Sequence, residues 1–396
     1  MHSRHCAYAY SSGYFYVDQS QSGMTLSEEE LYHFLALQLV PGIGNTLSKT
    51  LISYHKTAVG IFKTSSKDLA RTPGIGETLA KRIKEFIQVE KKTIDREWEF
   101  LQKNSIRLLP FYASEFPEKL RAVSASPAML FVKGNVNLNA HRMVAIVGTR
   151  KATAYGVNVT RKIVEDLKPY NVCIVSGLAY GIDIAAHKSA LDSEMTTVAV
   201  VAHGLDRIYP PSHTAVANRM IEKGGIVSEY FRGVKPDKEN FPVRNRIVAG
   251  MSDAIIVVEA AESGGALITA DFARNFKRDV FAVPGRIGDT YSEGSNALIN
   301  SGKAYMYTKV DDLLQKLQWD EHSGQGKVKV VQTSLFPELS EVEQRLFDIL
   351  RQVDKMHIDQ LRDAADMPIS QLIPILTELE IKGAIIGLPG KMYQVL

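Results

Sequence analysis

The fold is decided by two stretches, V-A-I-V-G-T-R (Val144–Arg150) and V-S-G-L-A-Y-G-I-D (Val175–Asp183). Each is an apolar strand pattern that runs into a turn of small residues and then into a helical pattern. In a parallel sheet this order places free backbone N–H groups and a helix N-terminus at the carboxyl edge, where doubly wound folds bind phosphate. Arg150 adds a guanidinium that can hold a phosphate through two hydrogen bonds. The sequence therefore predicts an anion site at this edge.

The stretch from 136 to 318 alternates apolar strand patterns with helical segments. The apolar runs are Val144–Val147, Val172–Val175, Thr197–Val201, Gly225–Ser228, Ala254–Val258 and Val280–Val283. Nearly continuous apolar strands alternating with helices are typical of a parallel sheet covered on both faces. We therefore predict an α/β fold whose main body is an extended Rossmann-like, parallel-sheet domain over residues 136–318.

A helical domain is predicted over residues 24–90 because a turn motif occurs there twice. V-P-G-I-G at 40–44 recurs as T-P-G-I-G at 72–76, and each copy precedes an amphipathic segment. This punctuation is typical of a SAM-like or helix-hairpin-helix domain, whose turns can offer N–H groups to a DNA phosphate. The weaker DNA-binding candidates are Gly42, Gly44, Gly74 and Gly76. The alternative is that these turns serve packing alone.

The remaining segments are predicted as follows. Residues 1–23 form a disordered tail, 91–135 a connector into the Rossmann-like domain, and 319–335 a linker. Three helical patterns and a terminal hairpin predict a winged helix over 336–396. Its third helix carries Glu378 and Glu380, and such an acidic helix repels phosphate, so a protein contact or structural role is favoured.

Composition excludes several function classes. The chain has 396 residues and a formal net charge of +3, which does not by itself indicate nucleic acid. Two cysteines, Cys6 and Cys173, cannot build a disulfide framework and suit a reducing cytoplasm. The sequence contains no run of eighteen apolar residues, so it predicts no membrane span. The chain lacks the G-x-x-x-x-G-K-[ST] and G-x-G-x-x-G phosphate motifs, and we expect no cofactor, no catalytic residue and no bound metal, even at His2, His5 and Cys6.

Several small-residue turns at one edge predict a long groove for an extended ligand. The phosphate candidates in the first two turns are Gly148, Thr149, Arg150, Ser176, Gly177 and Gly181. Asp183 is expected to cap its helix and compete with a phosphate, so we give it a structural role. A third turn contributes Ser263, Gly264 and Gly265.

The segment F-P-V-R-N-R-I-V at 241–248 adds the densest basic cluster near this edge. Arg244, Asn245 and Arg246 cannot all face one small ligand, because they lie on different sides of a helix. A polymer with several phosphates could use more of them, and Phe241 offers a stacking surface for a base.

These motifs resemble the DNA-processing protein A (DprA, or Smf) family. The resemblance rests on V-A-I-V-G-T-R, S-G-L-A-Y-G-I-D-I-A-A-H, G-L-D-R-I-Y-P, F-P-V-R-N-R-I-V-A-G, S-G-G-A-L-I-T-A, V-P-G and E-G-S-N-A-L-I. It implies a cytoplasmic, non-catalytic protein that binds incoming single-stranded DNA during natural transformation. It also implies a homodimer formed through the Rossmann-like domain that protects the strand and loads the RecA recombinase. The family's arginine falls on Arg150, its Ser-Gly turn on Ser176 and Gly177, and its Arg-Asn-Arg on 244–246.

One departure from the family pattern concerns the groove. The family commonly has Asn and then a basic residue after Tyr-Pro, whereas here Pro211-Ser212-His213-Thr214 follows Tyr209-Pro210. The candidates to replace the missing lysine are His213 and Arg219.

Two other functions stay open at this point. Related Rossmann-like proteins hydrolyse nucleoside monophosphates with a P-G-G-x-G-T motif, which the segment 263–269 does not reproduce. A pure adaptor that acts through its flanking domains is the other alternative.

Overall fold

The computed structural model describes residues 26–319 and 340–395, apart from 352, 354, 382, 383 and 389. It also describes the backbone of two paired antiparallel strands, β1 (Ala7–Tyr10) and β2 (Gly13–Tyr16). The remainder of the expected tail, with His2, His5 and Cys6, lies outside the described residues, as does nearly all of the expected linker. Both expectations therefore stay predictions. The chain divides into two compact units, 1–324 and 325–396.

After β1 and β2, the first unit continues with six helices. They are α1 (Glu28–Leu39), α2 (Asn45–His55), α3 (Ala58–Lys63), α4 (Ser66–Leu69), α5 (Glu77–Val89) and α6 (Lys91–Lys103). Gly42 and Gly74 take φ values of +96° and +80°, which side chains rarely adopt, so the repeated turns require glycine there. Gly44 and Gly76 are the N-caps of α2 and α5. The predicted helix-hairpin-helix domain is confirmed.

A nine-stranded mixed sheet follows. Its strands are β3 (Ile106–Pro110), β4 (Met129–Lys133), β5 (Met143–Val147), β6 (Cys173–Ser176), β7 (Thr197–Val200), β8 (Gly225–Ser228), β9 (Ala254–Val257), β10 (Asp279–Ala282) and β11 (Tyr305–Met306). The strand order is β11-β10-β9-β5-β6-β7-β8-β4-β3. All six apolar runs predicted as strands are strands of this sheet.

Seven strands of the sheet are parallel, and β4 and β3 extend it with antiparallel pairing. These two strands come from the stretch 91–135, which the sequence suggested was a connector. Their apolar residues are buried against the sheet and the N-terminal helices, so this stretch is an integral part of the α/β body.

Helices cover both faces of the sheet. They are α7 (Glu118–Arg121), α8 (Ala154–Leu167), α9 (Ile182–Asp192), α10 (Thr214–Lys223), α11 (Asn240–Met251), α12 (Gly265–Asn275), α13 (Glu293–Asn300) and α14 (Val310–Leu317). Alternate residues of β5 enter different cores. Val144 and Ile146 pack in a core with α8, α9 and α14, whereas Ala145 and Val147 share a core with α11 and α12. This alternation explains the unbroken apolar run of β5.

The second unit has the topology of a winged helix. Its elements are α15 (Glu341–Arg351), β12 (Met356–His357), α16 (Ile358–Ala365), α17 (Ile369–Ile381), β13 (Ile385–Leu388) and β14 (Met392–Val395). The strands form a sheet of order β12-β14-β13, and leucines of all three helices fill one core. Across the described parts of both units, no helix is long and apolar enough to cross a bilayer.

A buried carboxylate joins the N-terminal helices to the sheet. Glu30 on α1 is 5% exposed and accepts hydrogen bonds from the N–H groups of Ala58 and Val59 at 2.6 and 3.1 Å. It also accepts one from the Tyr112 hydroxyl, which lies just after β3. Because the two N–H groups open α3, Glu30 caps that helix while it holds the sheet.

We expect Glu30→Ala to lower the free energy of unfolding by about 3 kcal/mol, because it leaves buried donors without an acceptor. Chemical denaturation followed by circular dichroism measures this loss. Glu29→Ala is the matched control, since Glu29 is exposed one residue earlier on the same helix. Equal stability of the two variants would contradict the role given to Glu30.

Candidate nucleic-acid interface

The carboxyl ends of the parallel strands form one continuous edge of the sheet. The strand order places the loop after β5, which carries Arg150, near the middle of that edge. The loops after β9 and β10 lie on one side of it, and the loops after β6, β7 and β8 lie on the other. We call this set of loops, with the starts of α11 and α12, the rim.

Arg150 and Phe241 form the exposed centre of the rim. The guanidinium carbon of Arg150 lies 4.8 Å from the centroid of the Phe241 ring, which favours a cation–π contact. Arg150 is exposed and forms no ion pair with any described residue. The ring of Tyr209 lies 6.1 Å from that of Phe241. An unpaired cation beside partly exposed aromatic rings can bind a phosphate and stack a base.

Arg244 lies beneath this pair and is buried. Its Nη1 donates to the carbonyl oxygens of Gly177, at 2.7 Å, and Val200, while its Nε donates to Oδ1 of Asn245 at 3.2 Å. Its guanidinium carbon is 5.9 Å from the Phe241 ring centroid. Burial lowers the pKa of Arg244 to about 10, so it remains a cation at neutral pH. Nε and Nη1 are thus engaged inside the protein, and contact between Arg244 and phosphate stays a prediction.

The turn after β6 is closed by an internal carboxylate. Ser176 is fully buried, and its hydroxyl donates to the Ile146 carbonyl at 2.6 Å. The N–H groups of Gly177 and Ala179 both donate to Oδ2 of Asp183, at 3.1 and 3.4 Å. Burial raises the pKa of Asp183, and the nearby Arg244 opposes that shift. Asp183 therefore has a structural role, but it closes the turn before α9 and does not cap the helix, whose N-cap is Gly181. Phosphate contact at Ser176 and Gly177 stays a prediction.

A second carboxylate occupies the N-terminus of α8, the position where a Rossmann fold usually holds phosphate. Glu259 follows β9 and is 4% exposed. It accepts hydrogen bonds from the Thr153 N–H, at 3.0 Å, and from the Thr153 hydroxyl. A side chain at Gly156 would place its Cβ 2.2 Å from the Glu259 carboxylate. One signal in the sequence marks this contact, namely an acidic residue directly after a buried strand.

The glycines of the first turns serve close packing. A Cβ at Gly148 would lie 2.5 Å from Ile182. Gly181 takes a φ of +77°, and a Cβ there would lie 2.1 Å from the Thr149 carbonyl oxygen. The Thr149 N–H donates to the Glu259 carbonyl at 2.7 Å, and its own carbonyl accepts from the Ile182 N–H at 3.2 Å. Gly148, Thr149 and Gly181 thus support the loop that presents Arg150 to solvent.

The N-terminus of α12 is open. Ser263, Gly264 and Gly265 are exposed, and the N-cap Gly264 brings no side chain to cap the helix. Nothing lies within 4 Å of the Cβ position of Gly264. Asn245 ties this turn to α11, since its Nδ2 donates to the Gly265 carbonyl at 3.1 Å. A free helix N-terminus attracts anions, so this turn suits a phosphate. The phosphate contact itself stays a prediction.

Three further predicted residues are buried or paired with a carboxylate. Arg246 is buried and pairs with Glu229. His213 is 6% exposed, with Nδ1 2.9 Å from the Leu178 carbonyl. Arg219 pairs at 2.9 Å with Asp192, the last residue of α9 and therefore far from the carboxyl edge. That His213 or Arg219 takes the place of the missing lysine stays a prediction.

The helix-hairpin-helix turns differ in what surrounds them. Gly42, Gly44, Gly74 and Gly76 are all exposed. At the first turn, Asn45 accepts from the Ala128 N–H and Lys49 donates to the Ser126 carbonyl, so both are committed to the α/β body. Contact between either turn and DNA stays a prediction.

Three exposed lysines at the rim were not among the residues predicted to contact phosphate. Lys151 follows Arg150, and Lys235 and Lys238 lie in the loop between β8 and Phe241. None of them forms an ion pair with a residue that the structure describes. The K-P-D-K pattern shortly before Phe241 was the available signal.

A buried histidine lies under the rim, one turn after Asp183. His187 has Nδ1 2.7 Å from the Thr197 hydroxyl. Burial, reinforced by Arg244 and His213, lowers the pKa of His187 to about 3. Between this value and the ordinary pKa of histidine the unfolded chain binds one more proton than the folded chain, so stability falls as pH falls.

Below about pH 6, His187 is protonated in the unfolded chain and neutral in the folded chain. We expect this difference to lower the free energy of unfolding by about 1.4 kcal/mol per pH unit. His187→Gln should reduce the slope of stability against pH by about one proton. Chemical denaturation of both proteins between about pH 5 and 7.5 measures the two slopes. Parallel slopes would show that His187 does not stay neutral in the folded protein.

Three protein-family models match this chain, one for each of its domains. Residues 107–318 match the model of the DNA recombination-mediator protein A family, 333–391 match the DprA winged helix domain, and 34–88 match a SAM-like helix-hairpin-helix tandem. The first match alone covers more than half of the chain.

Individual relatives agree with these matches. Protein Smf of Escherichia coli is 37% identical over 263 residues, which cover 66% of this chain and 70% of that protein. The X-ray structure of DNA processing protein A from Streptococcus pneumoniae superposes with a TM-score of 0.62 at 31% identity, covering 74% of this chain and 99% of that one. A Helicobacter pylori DNA processing protein A, described for its single-stranded DNA binding mode, gives a TM-score of 0.50 at 30% identity, covering 55% and 97%. The chain therefore belongs to the DNA recombination-mediator protein A (DprA/Smf) family.

Proposed function

We propose that this protein binds single-stranded DNA along the rim without cutting it. The observation that carries the proposal is the exposed Arg150 guanidinium, which lies over Phe241 at the centre of the rim without a carboxylate partner among the described residues. The relative from Helicobacter pylori, described for its single-stranded DNA binding mode, supports the same ligand.

The exposed groups suit a polymer better than a small nucleotide. Arg150, Lys151 and the open N-terminus of α12 offer separate anion contacts along the rim. Phe241 offers a ring to a base, and stacking is tolerant of sequence. The two deeper turns hold Asp183 and Glu259, so they have no room for the phosphate of a mononucleotide.

The same carboxylates count against a hydrolase of nucleoside monophosphates. Asp183 and Glu259 are buried and accept hydrogen bonds from the backbone, so neither is free to act as nucleophile or general base. Release of a free base from AMP by the purified protein would reverse this ranking.

The wider role we propose is that of a cytoplasmic mediator that protects incoming DNA and loads RecA during natural transformation. Family membership supports this role, and a homodimer through the Rossmann-like domain is part of the proposal. The sheet ends at β11, where Tyr305 and Met306 are about half exposed, whereas its other edge, β3, packs against α1 and α6. Pairing of two copies at β11 would cover this open edge.

We expect Arg150→Glu to weaken binding of an oligothymidine by tenfold or more, because it replaces a phosphate contact with a repulsive charge. Fluorescence anisotropy titration measures the dissociation constant. Arg161→Glu is the control, since Arg161 is an exposed arginine on α8 and the net charge changes equally. Equal affinity of the two variants would remove Arg150 from the interface.

Salt dependence separates the roles of Arg150 and Phe241. Arg150→Gln should reduce the slope of log affinity against log salt by about 0.7, the value for one phosphate contact to a single strand. Phe241→Ala should cost about 1–3 kcal/mol of binding free energy and leave that slope unchanged, because it removes stacking. A shallower slope for Phe241→Ala would show that the ring does not act by stacking alone.

A further inference from the structure

Exposed aromatic rings extend along the rim beyond Phe241. Tyr180, in the loop after β6, is 48% exposed, and Tyr209, in the loop after β7, is 39% exposed. In the strand order, β5, β9 and β10 separate β6 from β11, so a second copy of the chain paired at β11 leaves both loops accessible. Neighbouring apolar side chains that a fold leaves exposed usually mark a binding surface.

The backbone places Tyr180 beside the loop that carries Arg150. The residue after Tyr180, Gly181, packs so closely against that loop that a Cβ on it would lie 2.8 Å from the Arg150 carbonyl oxygen. From the same loop the Arg150 guanidinium reaches the ring of Phe241. Tyr180 therefore borders the exposed centre of the rim.

The ring of Tyr180 is supported by the segment that follows Tyr209. The His213 ring lies 5.0 Å from it in a T-shaped contact, and the Nδ1–H of His213 donates to the Leu178 carbonyl at 2.9 Å. The Ser212 hydroxyl donates to the Tyr180 hydroxyl at 3.5 Å. A T-shaped contact covers at most one face of a ring, and nearly half of the Tyr180 surface stays exposed.

The backbone on both sides of Tyr180 is fixed by hydrogen bonds. The Ala179 N–H donates to Oδ2 of Asp183 at 3.4 Å, and the Ala185 N–H donates to the Gly181 carbonyl at 3.2 Å. The ring is therefore held in place before a ligand arrives, so binding costs little conformational entropy at this position.

The charge around Tyr180 differs from that around Arg150. The loop at 177–181 reads G-L-A-Y-G and carries no charged residue. In the loop after β7, Arg207 pairs with the adjacent Asp206 at 2.7 Å. A ring among neutral or paired groups suits the face of a base, whereas an exposed cation such as Arg150 suits a phosphate.

We propose that Tyr180 is a second base-stacking position for the single strand, next to Arg150. This inference rests on the proposed function of the rim. Phe241 and Tyr180 each stack a base, and Arg150, whose side chain contacts one ring and whose loop adjoins the other, binds a phosphate of the same stretch. The strand therefore crosses the rim from the N-terminus of α12 toward the loops after β6 and β7.

The first test uses variants of the full chain. We expect Tyr180→Ala to bind an oligothymidine about tenfold more weakly, with an unchanged slope of log affinity against log salt, because it removes stacking and no charge. Tyr180→Phe keeps the ring and should bind like the wild-type chain. The matched control is Tyr54→Ala, since Tyr54 is an exposed tyrosine on α2, and it should also bind like the wild-type chain. Anisotropy titrations over a range of salt concentrations give affinity and slope.

The second test uses the wild-type chain, so it does not depend on the folding of a variant. One thymine of the oligothymidine is replaced by 5-iodouracil, which on irradiation cross-links to an aromatic ring stacked on it, and mass spectrometry identifies the cross-linked residue. As the iodouracil is moved along the strand, we expect cross-links at Phe241 from one position and at Tyr180 from another.

Cross-links at Phe241 with none at Tyr180 would overturn the inference and leave the proposed function of the rim intact. Wild-type affinity of Tyr180→Ala, or an equal loss in Tyr54→Ala, would also overturn it. Failure of the wild-type chain to bind the oligothymidine at all would instead overturn the proposed function of the rim.

Discussion

The rim depends on one buried guanidinium. Arg244 enters the α/β body from α11, binds the carbonyls of Gly177 and Val200, and faces the Asp183 carboxylate. It thereby joins α11 to the ends of β6 and β7. A side chain at Gly177 would place its Cβ 2.6 Å from an Arg244 nitrogen and from an Asp183 oxygen, so the glycine leaves room for both charged groups. Removing either of these two buried, opposite charges would leave the other uncompensated, which typically costs several kcal/mol.

This arrangement explains why the interface is a surface and not a pocket. In dinucleotide-binding Rossmann folds a phosphate satisfies the N–H groups after the first strand. Here Glu259 does so at α8 and Asp183 does so before α9. With these positions filled from within, ligand binding shifts outward to Arg150, Phe241 and the open N-terminus of α12. A flexible polyanion can use such spaced contacts, whereas a small nucleotide cannot reach them together.

The cations of the α/β body also divide according to depth. Arg244 and Arg246 are buried and serve the fold, through backbone carbonyls and Glu229 respectively. Arg150, Lys151 and the lysines before Phe241 are exposed and lack ion-pair partners in the described chain. Exposed and unpaired charge, more than total charge, therefore marks the surfaces that suit nucleic acid.

The sequence by itself determined the fold class, the parallel direction of the apolar strands, the repeated hairpin turns and the winged helix. These follow from local periodicity and from turn residues such as Gly42 and Gly74, whose backbone conformation is encoded within a few positions. It also indicated that Arg150 and Phe241 lie at one edge, because the carboxyl ends of parallel strands meet there.

The tertiary structure alone decided which polar groups remain free. As residue types, Ser176, Gly177 and Arg244 were equally good phosphate candidates. In the structure, each of them forms hydrogen bonds with other groups of the protein. Glu259 lies 106 positions from Thr153 along the chain, so no local pattern could show that it binds this N-cap residue of α8. The physical reason is that each polar group can form only a few hydrogen bonds. Contacts between distant segments decide whether these hydrogen bonds are formed with a ligand or within the chain itself.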